Sequence, residues 1–478
     1  MTQQPTRPDA LTGRAAAALA VADVLTGRQF VSEALRSFRM AGRLEPREAG
    51  LALEIAQGAV RHLITIEHVL DALARFAPEQ TKPRLRAILY TAAYQIIWMD
   101  GVPPFAAVDE SVELARQLVH GRTPGMVNAV LRRVAGAVAE RRTPWQRLDP
   151  TQIRASWEAA CRFDRPVLPA VTVGPASLPA GPEPLALHLA AAAGERAERM
   201  VELMQRFGSE PSEAVAWASQ AVPVTVAQRN TLRATPEQFF AALRAALGDA
   251  VELADDAAFV PAGAGLFELP AWTAGLLYVQ DTSARAAARA VAARPGERIL
   301  DLCAAPGGKS ITLALGLENR GAVVACDVDA ERLQRVRDNA ARLGLDCIHT
   351  RPLSGTEADF AGAPPFDAAL VDAPCSNTGV IARRPEARLG LTPRKLRSLV
   401  ELQQRLLARA AGLVRAAGRL VYSTCSIEPW ENERVVTDFL DEHGAWELEA
   451  QELTLPAWGA RPHAWRDGGY WARLVRRA

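Results

Sequence analysis

Lysine is almost missing from this chain. Among 55 basic residues it stands only at Lys82, Lys309 and Lys395, and every other one is arginine. A composition bias of the source genome accounts for the trend. It also makes each lysine informative, because a compact ammonium fits where a planar guanidinium does not. Net charge is missing too. It sums to +1 over 478 residues, which excludes a global basic field, so any nucleic acid must meet a local cluster of arginines. The six cysteines, Cys161, Cys303, Cys326, Cys347, Cys375 and Cys425, form no C-x-x-C pair, so no zinc site is expected. No apolar run reaches the length of ~18 residues that a membrane helix needs. The polar stretch from Met1 to Gly13 does not resemble a signal peptide. Together these absences predict a cytoplasmic, reducing setting, free thiols, no metal and no membrane.

What is present is ordinary globular composition, 49% hydrophobic and 23% charged, in a chain long enough for two or three domains. Residues 1–143 read as an all-helical bundle. Leu51, Ile55, Leu63, Ile66 and Leu70 recur at helical spacing, as do Leu85, Leu89, Ala92 and Ile96. Pro103-Pro104 breaks the pattern before a helix from Val108 to Leu118, and Gly121 to Gly125 breaks it again before Met126–Arg133. Residues 144–275 read as a linker and a small α/β extension. Phe163 to Leu185 is rich in Pro, Gly and Ala, which reads as an irregular segment. A helix is expected over Glu195–Phe207, a strand over Val222–Asn230 and a helix over Pro236–Leu247. Residues 276–478 alternate strand and helix, with strands at Arg298–Leu302, Ala322–Cys326, Ala368–Val371 and Arg419–Ser423. That order implies an α/β domain with a doubly wound parallel sheet, whose ligands sit outside the carboxyl ends of the strands.

The front region resembles the NusB family of RNA-binding helical domains, on Pro103–Glu113 (PPFAAVDESVE) and Val127–Arg133 (VNAVLRR). The resemblance implies an RNA-contacting module in which Arg116, Arg122, Arg132, Arg133, Arg141 and Arg142 are candidates for phosphate contacts. Each of them serves equally well to solvate an outer helix face.

In the last region, Ile299–Leu302 runs directly into Cys303-Ala304-Ala305-Pro306-Gly307-Gly308-Lys309. Small residues and paired glycines let backbone approach a ligand, and the helix that follows offers free N–H groups. A phosphate loop would need a glycine where Leu302 stands. Asp327, at the end of the second strand and about 20 residues beyond the glycine turn, suits two ribose hydroxyls. The competing role for Asp327 is capping the helix that begins near Ala330. Further on, one strand ends in Asp372 followed by Ala373-Pro374-Cys375-Ser376-Asn377-Thr378-Gly379. Another ends in Thr424-Cys425-Ser426. Two cysteines and an aspartate thus leave strand ends on the cofactor side, in polar loops where a thiolate can form.

These residues complete a second resemblance, to the RNA cytosine carbon-5 methyltransferases. It rests on Val279-Gln280-Asp281-Thr282-Ser283, Asp301–Lys309 (DLCAAPGGK), Asp372–Val380 (DAPCSNTGV) and Tyr422–Glu433 (YSTCSIEPWENE). With the NusB-like front, the chain resembles bacterial enzymes that methylate a cytosine of small-subunit (16S) ribosomal RNA. The resemblance implies a Rossmann-like methyltransferase domain, S-adenosyl-L-methionine as cofactor, RNA as partner and a monomeric enzyme. It assigns the attacking thiolate to Cys425, contact with the cytosine edge to Asp372, and removal of the carbon-5 proton with product release to Cys375. Lys309 is placed near the reacting centre. Cys303 to Lys309, Asp327 and Asp372 form the cofactor site. The target base must leave its stack to enter.

The sequence departs from the family in three places. An acid expected near Pro352–Ser354 is absent, with Ser354, Glu357 or Asp359 as substitutes. Arg383-Arg384-Pro385-Glu386 matches a family stretch, but Leu389 stands where a tryptophan is expected. Gln228-Arg229-Asn230 stands where the family often has Arg-Val-Asn. Three alternatives stay open: a transfer RNA substrate, a mechanism like that of DNA cytosine methyltransferases with Cys375 as nucleophile, and an RNA-binding ribosome-assembly factor without catalysis.

Overall fold

The computed structural model describes residues 10–119, 121–171, 182–254 and 256–478. Residues 172–181 of the expected linker and the Glu357 side chain lie outside the described residues. The chain divides into two compact units. One runs to Ala221 and takes in Arg388–Gly390; the other comprises Val222–Ala387 and Leu391–Ala478. The stretch read as one extension over 144–275 is therefore split at 221/222. The physical reason is that its two parts pack in separate cores. Trp145, Trp217 and Arg154 form one, with the guanidinium 3.9 Å from the Trp145 ring centroid and 5.0 Å from that of Trp217. Ala227, Phe239, Leu243 and Val260 belong to the other.

The first unit opens with helices Gly13–Leu25, Val31–Met40, Pro46–Arg61, Leu63–Ala74, Pro83–Trp98, Pro104–Leu118 and Thr123–Ala137. Four of them carry a proline in their first turn, where the missing N–H costs nothing. An antiparallel sheet follows, with Ala159–Phe163 between Val138–Pro144 and Gln152–Arg154. Helices Pro182–Ala192, Ala197–Phe207 and Ser209–Gln220 complete the unit. Two of the arginines read as phosphate contacts have other work. Arg141 donates to the carbonyls of Gln95, Met99, Asp100 and Val102. Arg142 donates to those of Ile97 and Trp98 and pairs with Asp100 at 2.9 Å. Both satisfy the orphan carbonyls at the end of helix Pro83–Trp98. Arg122, Arg132 and Arg133 remain exposed, and Arg116 pairs with Glu113 on its own helix.

The second unit begins with a four-stranded sheet in the order Glu252–Ala254, Ala257–Val260, Thr225–Arg229, Leu277–Val279, covered by helix Pro236–Leu247. Gln228 and Asn230 are fully buried there. Gln228 donates to the Gln280 carbonyl, and Asn230 to those of Gly275 and Leu343. These positions hold backbone together.

The main sheet has seven strands: β1 (Arg298–Leu302), β2 (Ala322–Asp327), β3 (Ile348–Pro352), β4 (Phe366–Asp372), β5 (Val414–Thr424), β6 (Trp446–Thr454) and β7 (Gly469–Arg476). Their order is β3-β2-β1-β4-β5-β7-β6. The first five are parallel, as the alternation implied, while β7 runs antiparallel between β5 and β6. The sheet is therefore mixed at that edge. Side chains alternate across it with period two. Leu300 and Leu302 join a core with Leu407 and Phe439, and Ile299 joins the opposite core with Ala288, Leu313 and Leu343. The strand order reverses between β1 and β4, which opens a crevice at their carboxyl ends. No helix among the described residues is long and apolar enough to cross a membrane.

Candidate active site

β1 leaves the sheet through Cys303, whose φ of 66° is left-handed, and the turn closes at Gly307 with φ 106°. A side chain at Gly307 would be strained, and its Cβ would stand 3.2 Å from Val336. Only glycine fits there. The turn feeds helix Gly308–Gly316, whose first N–H groups face the crevice end of the sheet. Asp327, at the end of β2, accepts from the Ala305 amide at 3.2 Å and from the Asp329 amide at 3.0 Å. The cap of the next helix is Asp329, which accepts from the amides of Glu331 and Arg332. Capping is thereby removed as the role of Asp327.

One cleft of about 830 Å³ joins these residues to the two cysteine loops. Its wall includes Cys303, Ala305, Lys309, Asp327, Asp372, Cys375 and Cys425. Ala304, Pro306, Gly307 and Gly308 shape the turn behind it. Lys309 Nζ lies 2.8 Å from Asp372 Oδ2, and Ser423 Oγ donates to Asp372 Oδ1 at 3.1 Å. Burial opposes the Lys309 charge, but Asp372, with Cys425 and Asp301 contributing, outweighs it and raises the ammonium's pKa. The Cys375 and Cys425 sulfurs are 3.1 Å apart, and Cys425 Sγ lies 3.2 Å from Asn377 Oδ1. Asn377 itself has φ 63° and donates to the Cys375 carbonyl. Gly379 lets the two loops meet: its N–H donates to the Cys425 carbonyl at 2.9 Å, and a Cβ there would come within 2.6 Å of Gly468 backbone.

Burial pushes the thiols of Cys303 and Cys326 up to about 12, and its contact with the Cys425 sulfur, then burial, holds the Cys375 thiol well above the ordinary range. The sequence signal for the Cys375–Cys425 pair was their position in polar loops at strand ends. Three features carried no such signal: Asn377 beside the Cys425 sulfur, Glu431 behind both loops, and Arg405 on the cleft wall.

Among the described residues, nothing replaces the missing acid after β3. Asp359 accepts from Ser354 N and Oγ and from Gly355 N, and pairs with Arg409 at 2.8 Å. It pins its own loop, and the cleft wall there is Leu353, Gly355 and Thr356. Arg383, from the family-like Arg-Arg-Pro-Glu stretch, bridges Asp467 and Asp281 and donates to the Val224 carbonyl. It anchors the Val279–Ser283 segment.

Residues 288–461 match the model of the 16S rRNA methyltransferase RsmB/F family, and residues 12–136 that of the NusB family. The chain is 30% identical over 443 residues to the probable ribosomal RNA small subunit methyltransferase B of Bacillus subtilis (strain 168). That match covers 91% of this chain and 89% of the relative. It is 30% identical over 476 residues to ribosomal RNA small subunit methyltransferase B of Pseudomonas syringae pv. tomato, covering 97% and 96%. Among solved structures, a methyltransferase homolog protein from Pyrococcus horikoshii superposes with a TM-score of 0.52 at 26% identity, over 61% of this chain and 98% of that one. The crystal structure of PH0851 shares the fold over 99% of this chain and 100% of its own, with a TM-score of 0.70 at 22% identity.

Proposed function

Because this chain belongs to the RsmB/F family of 16S rRNA methyltransferases and is an RNA methyltransferase, we propose that it methylates carbon-5 of a cytosine in small-subunit ribosomal RNA, in the cytoplasm, using S-adenosylmethionine and a covalent bond to Cys425. The observation that carries this reading is the pair of sulfurs 3.1 Å apart on the wall of the same cleft that Asp327 lines.

The residues fit the cofactor. The cleft has room for a nucleoside with an amino-acid tail. The Asp327 carboxylate on the cleft wall would accept from the ribose hydroxyls, and the Cys303–Gly308 turn would leave its backbone open to the tail. Bound there, the cofactor supplies an electrophilic methyl group. The protein does the rest. Cys425 attacks carbon-6 of the flipped cytosine, which makes carbon-5 electron-rich. Asp372 accepts a hydrogen bond from the base edge, and the Lys309 ammonium beside it offsets the charge that develops in the ring. Cys375, across the pair, removes the carbon-5 proton and lets the Cys425–carbon bond break.

The two cysteines should fail differently. Cys425→Ala makes neither adduct nor product. Cys375→Ala still attacks and transfers methyl but releases slowly, so a protein–RNA adduct accumulates that survives denaturing electrophoresis and is removed by nuclease. The reverse pattern would make Cys375 the nucleophile, and near-normal turnover in both variants would remove the cysteines from the chemistry. Bisulfite sequencing of total RNA with and without the gene identifies the modified cytosine and separates ribosomal from transfer RNA.

A further inference from the structure

Among the described residues, the cations on the cleft wall are Lys309, Arg332, Arg405 and Arg409. Three of them are committed. Lys309 lies 2.8 Å from Asp372. Arg332 lies 3.9 Å from Asp327 and donates to the Ala305 carbonyl. Arg409 lies 2.8 Å from Asp359 and donates to the Thr356 carbonyl at 2.6 Å. The guanidinium of Arg405 makes no hydrogen bond or ion pair with any described residue, not even with Glu401 one helical turn earlier, and the residue is exposed.

Arg405 stands on helix Pro393–Leu413, which is fixed on both sides of it. Two residues before it, Gln403 Nε2 donates to the Pro374 carbonyl at 2.9 Å and to Glu431 Oε1 at 3.0 Å. The buried Glu431 accepts in turn from the Ser376 amide at 2.8 Å and the Ser426 hydroxyl at 2.6 Å, so the helix is tied to both cysteine loops. One turn after Arg405, Arg409 ties the same helix to the loop beyond β3. Leu402 and Arg409, three residues before and four after, share its helix face and the cleft wall. The helix therefore holds one surplus positive charge on the wall that also carries Cys375 and Cys425.

We propose that Arg405 binds a backbone phosphate of the RNA, one of the two that flank the nucleotide whose base enters the cleft. The proposal rests on the reading of this cleft as the site of cytosine methylation. A base that leaves its stack draws its sugar and both flanking phosphates to the mouth of the cleft. They bring negative charge to a wall that already carries Asp327 and Asp372. Arg332 and Lys309 answer those two acids and leave nothing over for a phosphate. An unpaired guanidinium presents a planar fork of donors that matches phosphate oxygens. The cofactor's amino-acid tail carries an anion of similar chemistry, a carboxylate. Helix Gly308–Gly316 offers that group N–H donors of its own, which leaves Arg405 to the RNA.

The test uses the full-length protein and a synthetic RNA that carries the cytosine identified by bisulfite sequencing. Binding is read by fluorescence anisotropy over a range of salt. Arg405→Gln should weaken RNA binding about tenfold and reduce the slope of log affinity against log salt by about 0.7, the share of one phosphate in a single strand. Its affinity for S-adenosylhomocysteine, measured by calorimetry, should hold. Arg405→Lys should recover part of the RNA affinity, because it keeps the charge and loses the fork. RNAs in which one or the other flanking phosphate is an uncharged methylphosphonate locate the contact. In the wild type one of the two replacements should weaken binding, and in Arg405→Gln that replacement should cost nothing further. RNA affinity and salt slope unmoved in the Gln variant, or equal methylphosphonate losses in variant and wild type, overturn the proposal. A fall in cofactor affinity with RNA affinity intact assigns Arg405 to the carboxylate and overturns it too. Should the Gln variant not fold, full affinity of the wild type for both methylphosphonate RNAs overturns it alone. Failure of the cytosine reading shows separately, as the absence of any gene-dependent cytosine in the bisulfite data; the salt slope on small-subunit ribosomal RNA then still tests Arg405.

Discussion

Asp301 is a carboxylate in the centre of the main sheet, with no exposure. Its Oδ2 accepts from Ser310 at 2.5 Å, and Oδ1 has no partner among the described residues. Burial pushes it up to about 7, with the Ser310 hydrogen bond pulling the other way. An acid raised in the folded state contributes stability that is present below its ordinary value near 4 and lost as pH rises through about 7. Asp301→Asn removes that dependence. Its melting temperature relative to wild type should therefore be higher at pH 8 than at pH 5, by an amount on the order of a few kcal/mol in stability. A constant difference across pH in thermal melts would contradict the buried-proton account. At this scale the sequence was informative where a residue type is chemically unusual for its place. Lys309, Asp372, Cys375 and Cys425 stood out on that ground, and all lie on one cleft. Glu431 did not stand out, because a glutamate in Pro-Trp-Glu-Asn-Glu is unremarkable until folding brings Ser376 and Ser426 to it.

Among the elements, arginines that look alike in sequence divide by what they touch. Arg141 serves the end of helix Pro83–Trp98, whereas Arg133 is exposed. Arg141→Met should destabilise the protein by about 1–3 kcal/mol, the scale for buried acceptors left unpaired, in urea unfolding, with RNA affinity little changed. Arg133→Glu should leave unfolding unchanged and weaken RNA binding with a shallower salt dependence. Exchange of the two phenotypes would reverse the assignment. Element type was readable where burial is one-sided or complete: the front helices show the 3.6 period, and β1 and β4 are apolar runs. Val138–Pro144 and β6 were not readable. The first carries Glu140, Arg141 and Arg142, and the second is mostly exposed, with Glu447, Glu449 and Glu452 along it. Their pairing comes from partner strands, β6 from β7 alone.

At the scale of the molecule, the division at 221/222 sets where the chain can be cut. Thr225–Arg229 pairs with Leu277–Val279, so a cut within that sheet would strip its core. A fragment beginning at Val222 should bind S-adenosylmethionine with near-intact affinity in calorimetry and lose most RNA affinity. The intact protein should lose RNA affinity steeply with salt. Equal RNA binding by fragment and whole would take the RNA role from the helical front. The sequence by itself determined the motifs on which the proposed chemistry rests. The types and order of the turn, acid and cysteine motifs are local, and each sits where an apolar run must end. It also determined the helical front and the parallel half of the sheet, because hydrophobic period is a local property of the chain. Tertiary structure decided what depends on residues far apart meeting. It set the 3.1 Å approach of two sulfurs 50 positions apart and the carboxylate that grips both loops. It also turned Asp359, Arg383, Arg141 and Asn230 inward, because buried polar groups take whichever partners the fold brings within reach.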